Sequence, residues 1–288
     1  MLINKSIQLL TLLMFAVSAQ ATSVEQKWQL AGFQNPESVV YDDARDVLYV
    51  SNVSGDATNK DGNGTISSVS LDGKLLNAAW VSGLDAPKGL AISGNKLYVA
   101  DIDTLVEIDI ETATVSNRYV VADAKFLNDV AADDKGNIYV SDMVMNRIHR
   151  LQGNQFDIWI EGEELENPNG LHFAEDDIML GSWGKMTDGF ATETPGHLKR
   201  ISLKDKHISS VGDGSPVGNL DGVEGTEDTG FFVTDWMNGG LFLISRKGKV
   251  SKLLDLDSGS ADLEFIENKN MILIPMMKDN VLNAYQLK

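Results

Sequence analysis

The stretch Leu127-Asn128-Asp129-Val130-Ala131-Ala132-Asp133-Asp134-Lys135-Gly136-Asn137-Ile138-Tyr139-Val140-Ser141-Asp142 reads as two short strands around a tight turn. The apolar runs are only three or four residues long, and they include β-branched and aromatic residues. Gly136 and Asn137 in the turn accept positive φ. The same phrase recurs along the chain. Its first strands also open with Pro36-Glu37-Ser38-Val39, Pro87-Lys88-Gly89-Leu90, Pro168-Asn169-Gly170-Leu171, Leu220-Asp221-Gly222-Val223 and Ala261-Asp262-Leu263-Glu264. Its second strands are Leu48-Tyr49-Val50, Leu97-Tyr98-Val99, Ile138-Tyr139-Val140, Ile178-Met179-Leu180, Phe232-Val233-Thr234 and Ile272-Leu273-Ile274.

The second residue of each opening serves as an anchor. The anchors Glu37, Lys88, Asn128, Asn169, Asp221 and Asp262 are separated by 51, 40, 41, 52 and 41 residues, by subtraction of their numbers. A period near 40 with several short strands per repeat is the mark of a β-propeller. Helical solenoids have similar periods, but no 3.6-residue stripe runs long enough here for a helix pair. Third strands follow, as at Thr65 to Leu71, Arg147 to Leu151 and Leu241 to Ser245, and outer strands such as Val250 to Leu254 complete most blades. The sixth repeat stops after its third strand, Val281 to Leu287. An unassigned strand-like piece, Lys27 to Phe33, supplies the missing fourth. The expected fold is therefore all-β: a single six-bladed propeller of four-stranded blades over residues 22–288, its ring closed by the N-terminal strand.

Residues 1–21 read as a secretory signal. Lys5 is the only charge before Glu25, Ile7 to Val17 is almost wholly apolar, and Ala19-Gln20-Ala21 is a small-x-small cleavage pattern. The apolar run is shorter than the roughly 20 residues of a spanning helix. A mature chain beginning near Thr22, periplasmic or secreted and not inserted in the membrane, is the expectation. There is no cysteine, which excludes thiol catalysis and cysteine-ligated zinc. With 24 basic and 42 acidic residues the net charge is -18. Such a field repels nucleic acid and anionic membranes and favours cations, and it also serves plain solubility.

In a propeller the first strand of each blade lines the central channel, so the six anchors form a ring. Two carboxylates and two amide oxygens converging there suit a hard cation, Ca²⁺ first. A water-filled polar channel is the other reading of the same ring. Lys88 places a cation among the anchors. It can pair with Glu37 or Asp262, receive an anionic substrate group, or oppose a metal.

The openings Pro-Glu in the first repeat, Asn-Asp in the third, Pro-Asn-Gly in the fourth and Asp-Gly in the fifth resemble the senescence marker protein/gluconolactonase family over residues 22–288. Diisopropyl fluorophosphatase and the paraoxonases are more distant relatives of it. The resemblance implies one catalytic Ca²⁺ in the channel, held by Glu37, Asn128, Asn169 and Asp221. It implies a small-molecule substrate such as a lactone, and hydrolysis of lactones or related esters with the metal as Lewis acid. It also points to Asp221 as proton acceptor or nucleophile, and a role for Asp221 as ligand only stays open. The histidine pair of the paraoxonases is not evident. Asp262 is left outside the metal shell.

Residues at the ends of the second strands should face the channel mouth: Asn52, Asp103, Met143, Trp183, Trp236 and Met276. With Lys88, the last five form the expected substrate pocket, although inter-blade packing explains such side chains equally well. The two long spacings come from loops after the second strands of blades one and four, Ser54 to Gly64 and Gly184 to Gly196, expected as lids. The first contains Asn59-Lys60-Asp61-Gly62-Asn63-Gly64, like the start of an EF-hand loop, but Ser70 stands where the bidentate Glu belongs and strands flank it, so a β-turn is expected. No Gly-x-Ser-x-Gly elbow occurs, and His149, His172, His197 and His207 lack zinc-motif spacing. Two rivals to the hydrolase remain: a non-catalytic binding propeller, and a metal-free enzyme of the strictosidine synthase type. A propeller of this size is complete as a monomer.

Overall fold

The computed structural model describes residues 23–288, so the leader read over residues 1–21 lies outside the described residues. The chain forms six four-stranded antiparallel sheets arranged as the blades of a propeller. Blades one to five each use four consecutive strands. They open at Pro36–Asp42, Pro87–Ser93, Leu127–Ala132, Pro168–Ala174 and Leu220–Thr226. Blade six takes Glu264–Ile266, Met271–Met276 and Val281–Leu287, and its outer strand is Val24–Ala31 from the other end of the chain. The closing strand thus starts and ends earlier than the Lys27 to Phe33 expected from sequence. Its partner spans seven residues and fixes the register from Val24↔Leu287 to Ala31↔Val281. Gly32, at φ 108, then turns the chain so that Phe33 enters the core between blades one and six. Among the described residues no helix is long and apolar enough to cross a membrane.

The second strands read as continuous apolar runs because both of their faces are covered. Leu48 and Val50 pack toward blade six with Leu273 and Leu282, while Tyr49 between them packs toward blade two with Leu97 and Val99. Blade three repeats this, with Ile138 and Val140 on one side and Tyr139 on the other. Each such side chain contributes about 1.5–3 kcal/mol through burial.

The feature that positions the site is a bulge in every first strand. Pro36 pairs with Asn52 and Val39 with Val50, so three steps on the first strand face two on the second. The same offset occurs at Pro87/Leu90, Leu127/Val130, Pro168/Leu171 and Leu220/Val223. In blade six, Ser260 bridges Met276 and Glu264 pairs with Leu273, again with one residue extra on the first strand. Each anchor falls on this irregularity, which re-aims its side chain out of the blade. The amides released from the ladder find hydroxyls on the second strand. Ser38 N donates to Ser51 Oγ, Asp129 N to Ser141 Oγ and Gly222 N to Thr234 Oγ1, each at 2.9 Å. The acidic or amide residue that ends a second strand ties down the loop entering the first. Ala86 N donates to Asp101 (2.7 Å), Phe126 N to Asp142 (3.2 Å) and Gln34 N to Asn52 Oδ1 (3.2 Å). Asn52 is therefore a fastener of this loop.

Where glycine follows the anchor, the neighbouring first strand leaves no room for a side chain. A Cβ on Gly170 would stand 1.8 Å from the carbonyl oxygen of Asp221, and one on Gly222 2.4 Å from Leu263 N. Gly170→Ala is expected to cost about 1–3 kcal/mol, since backbone and not a flexible side chain must move. An unchanged thermal midpoint in differential scanning calorimetry would show that the strands yield there freely. Deleting residues 24–31 leaves Val281–Leu287 as an open edge. A lowered midpoint and concentration-dependent light scattering are expected, and a monodisperse truncation with the full-length midpoint would contradict the closing role of this strand.

Candidate functional site

A cavity of about 230 Å³ opens at the end of the channel where the first strands begin. Its floor is made by Glu37, Lys88, Asn128, Asn169 and Asp221, all buried. Five of the six anchors are thus brought together. The sixth, Asp262, lines a second cavity of about 190 Å³ at the opposite end of the first strands, with Asp129, His172, Glu224 and Glu264. Blade six is tied to blade one in a way that accounts for this. Its backbone at Asp262 is held by donation from Asp262 N to Glu37 O (2.9 Å), and the carboxylate turns down to accept Ser38 Oγ at 2.5 Å.

The hydrogen bonds of the floor leave two acceptors bare. Asn128 Nδ2 donates to Asn169 Oδ1, and Asn169 Nδ2 donates to Leu220 O at 3.1 Å. This orients both amides and leaves Asn128 Oδ1 buried with no partner, as is Glu37 Oε2. Native proteins rarely tolerate such atoms without a compensating ligand. Burial first, then the charges of Asp221 and Asp262, push the Glu37 carboxyl well above the ordinary carboxylate range. Burial, followed by the charge of Asp262, does the same to Asp221.

Lys88 is the buried countercharge. Its Nζ donates to Ala57 O (3.1 Å) and Ala86 O (2.9 Å) and stands 4.5 Å from the centroid of the Phe126 ring. Among the described residues no ion pair joins it to Glu37 or Asp262; backbone carbonyls take the place of the expected carboxylate. Burial pushes its pKa down to about 8, with the charge of Glu37 opposing.

Oxygen donors dominate the floor: two carboxylates and two side-chain amides. Among the described residues no three His, Cys, Asp or Glu side chains gather to hold a metal. A cation here would need the amide oxygens of Asn128 and Asn169 as well as Glu37 and Asp221. The orphaned Glu37 Oε2 and Asn128 Oδ1 fit that requirement, and the donor set is that of a hard cation.

The walls are apolar. Phe126, Trp183, Phe190 and Trp236 form a connected aromatic group, with ring centroids 5.3 Å apart for Phe126–Phe190 and 6.1 Å for Trp183–Trp236. Val53, Ala57, Met143 and Met277 fill the rest. Ala57 comes from the long loop of blade one and Phe190 from that of blade four, so both loops reach the cavity mouth. Trp183 Nε1 donates to Phe190 O at 2.9 Å, which fastens the second loop to the wall. Of the residues expected in the pocket, Lys88, Met143, Trp183 and Trp236 line it. Asp103 instead bonds Lys60 Nζ at 2.5 Å on the rim, and Met276 packs in the core of blade six with Phe232 and Ile274.

In five of the six blades a positional rule holds, and it explains Met276; in blade two the strand ends at Asp101 and the next residue, Ile102, packs with Val53 and Ala86 without lining the cavity. Second strands end at Asn52, Asp142, Ser182, Asp235 and Met276, and the very next residues, Val53, Met143, Trp183, Trp236 and Met277, form the wall. In-strand residues are committed to inter-blade packing or to the loop-fastening bond, and the first residue beyond is free to turn inward. Phe126 and Phe190 lie in loops and carry no such periodic signal. No histidine lines the cavity: His149 is buried in blade three, His172 lies at the opposite cavity, His197 bonds Ser210, and His207 is exposed. In the Asn59–Gly64 segment, Asp61 accepts from Asn63 N (3.3 Å), and Gly62 N donates to Asp85 (3.0 Å), as befits a turn.

No curated protein matches the chain. Among solved structures, a gluconolactonase from Xanthomonas campestris is similar at 14% identity and a TM-score of 0.64, over 89% of this chain and 87% of that one. A putative gluconolactonase matches at 14% identity and a TM-score of 0.64, over 93% of each chain. Virginiamycin B lyase from Staphylococcus aureus is similar at 12% identity and a TM-score of 0.61, over 93% of this chain and 100% of that one. At these identities the likeness is one of fold. Residues 35–260 match the family described as SMP-30/Gluconolactonase/LRE-like region, and the chain belongs to that family.

Proposed function

We propose that the protein is a Ca²⁺-dependent hydrolase of lactones or related esters, acting outside the cytoplasm. One observation carries the reading: two buried oxygen acceptors without partners, Glu37 Oε2 and Asn128 Oδ1, on the same cavity floor as Asn169 and Asp221. Family membership and the gluconolactonase neighbours support the substrate class. The leader pattern at residues 1–21 supports export.

Glu37, Asn128, Asn169 and Asp221 would hold the cation. When bound, it supplies Lewis-acid polarisation of the scissile carbonyl. The chain's own residues do the rest. Asp221, buried and raised, is placed to accept a proton from water at its carboxylate oxygen. Lys88, at about 8, is mainly protonated at neutral pH and offers a fixed positive charge on the floor where negative charge develops. The aromatic wall limits access of bulk water. Lys88, together with a cavity free of histidine, also supports a second reading, a non-catalytic binding propeller.

Turnover of a lactone panel by the full chain decides between the two. Activity abolished by chelator, and reduced by at least about 100-fold in Asp221→Ala, is expected. Turnover that survives both treatments would remove Asp221 and the cation from the chemistry, and binding without turnover would favour the second reading.

The raised carboxyls also predict a pH dependence. A carboxyl raised in the folded state holds its proton to higher pH than in the unfolded chain. Metal-free stability should therefore fall as pH rises from about 4, the unfolded value, to about 7, where Asp262 lies. Added Ca²⁺ should raise the thermal midpoint more at pH 8 than at pH 5, since it neutralises Glu37 and Asp221 only when they are ionised. An equal shift at both pH values would argue against binding at these carboxylates.

A further inference from the structure

We infer that the substrate class of this site is an apolar, aryl- or alkyl-substituted lactone and not a polyhydroxylated sugar lactone. The inference rests on the proposed lactone reading and narrows it. Every polar side chain of the cavity is on the floor, where it is committed to the reacting end of a ligand. Above the floor the side chains are aromatic, aliphatic or thioether. Of the two indoles, Trp183 already donates to Phe190 O, which leaves Trp236 as the wall's remaining side-chain donor.

The main-chain amides of the residues just past the second strands are also spent. Val53 N donates to Asn35 O (3.1 Å), Met143 N to Phe126 O (3.1 Å) and Trp183 N to Asn167 O (3.0 Å). Trp236 N donates to Asn219 O (3.0 Å) and Met277 N to Gly259 O (2.8 Å). The carbonyl of Ala57, at the mouth, is taken by Lys88 Nζ. Above the floor a sugar lactone would bring several hydroxyls against this wall, each stripped of water with at most one side-chain donor and no side-chain acceptor on the wall to meet it, while the free acceptors of the floor face the reacting end. An apolar substituent meets the opposite situation. It buries against four aromatic rings, one of which, Phe190, is otherwise 42% exposed at the mouth.

Size sharpens the class. A cavity of roughly 150 Å³ holds a benzene ring. The 230 Å³ here takes one six-membered lactone with a short alkyl chain or a closely fused or attached ring.

The test uses the full chain with Ca²⁺ and pairs of δ-lactams, which mimic the lactones without being cleaved. Isothermal titration calorimetry compares a phenyl- or butyl-substituted δ-lactam with gluconolactam. The apolar lactam should bind at least about tenfold more tightly. Trp236→Ala and Phe190→Ala should each erode that preference, while the conservative Trp236→Phe retains most of it. Equal or tighter binding of gluconolactam, or no binding of either, overturns the inference. Turnover of the matching lactones is scored separately. Selective binding of the apolar lactam with no turnover of any lactone leaves this specificity standing and defeats only the hydrolase reading.

Discussion

Six first strands can approach one axis only if something is left out where they meet. In blades two, four and five the missing matter is the Cβ of the glycine after the anchor, Gly89, Gly170 and Gly222: at Gly170 the next strand's carbonyl occupies the space a methyl group would need. The other half of the solution is the extra residue in each first strand. A regular strand would send alternate side chains into the two neighbouring blades. The bulge interrupts this alternation and turns one side chain per blade toward the axis. The site therefore inherits its geometry from the packing problem at the centre of the ring, not from flexible loops.

That geometry concentrates negative charge. Glu37 and Asp221 sit above Asp129 and Asp262, all buried, and each carboxyl is pushed up by burial and by its neighbours. Lys88 is the one buried ammonium on the floor, and it is already engaged by two carbonyls and an aromatic face. Placing several carboxylates in such an enclosure is unfavourable unless protons or cations accompany them. The two cavities share this field across the first strands, so a charge gained or lost in one is felt in the other.

The fold was legible because the repeat is carried by local chemistry: turn residues between short apolar strands, at a period near 40 with no helical stripe to compete. The floor residues were legible too, since each stands second in a repeated phrase. What the chain does not announce is direction. Asp262 occupies the anchor position of its repeat yet faces the opposite cavity, because its carboxylate is captured by Ser38 from the neighbouring blade. Met276 and Met277 are chemically alike, and only the strand's last ladder pair decides which is core and which is wall. Phe126 and Phe190 became wall residues through long-range contacts that no spacing encodes. The closing strand was placed a few residues late because its register is dictated by a partner more than 250 positions away.

That last pairing has a consequence for how the molecule is made. Val24 meets Leu287, so the earliest strand of the described chain to leave the ribosome finds its partner only after all the other strands have been made. Blades one to five can each form locally as they emerge, since their strands are consecutive. The ring cannot. Until the final strand arrives, the nascent chain carries two unpaired edges at once, and the step that removes both is the contact of greatest sequence separation in the fold. Folding of these blades is therefore local for most of their length and completed by a single encounter between the first and last strands of the ring.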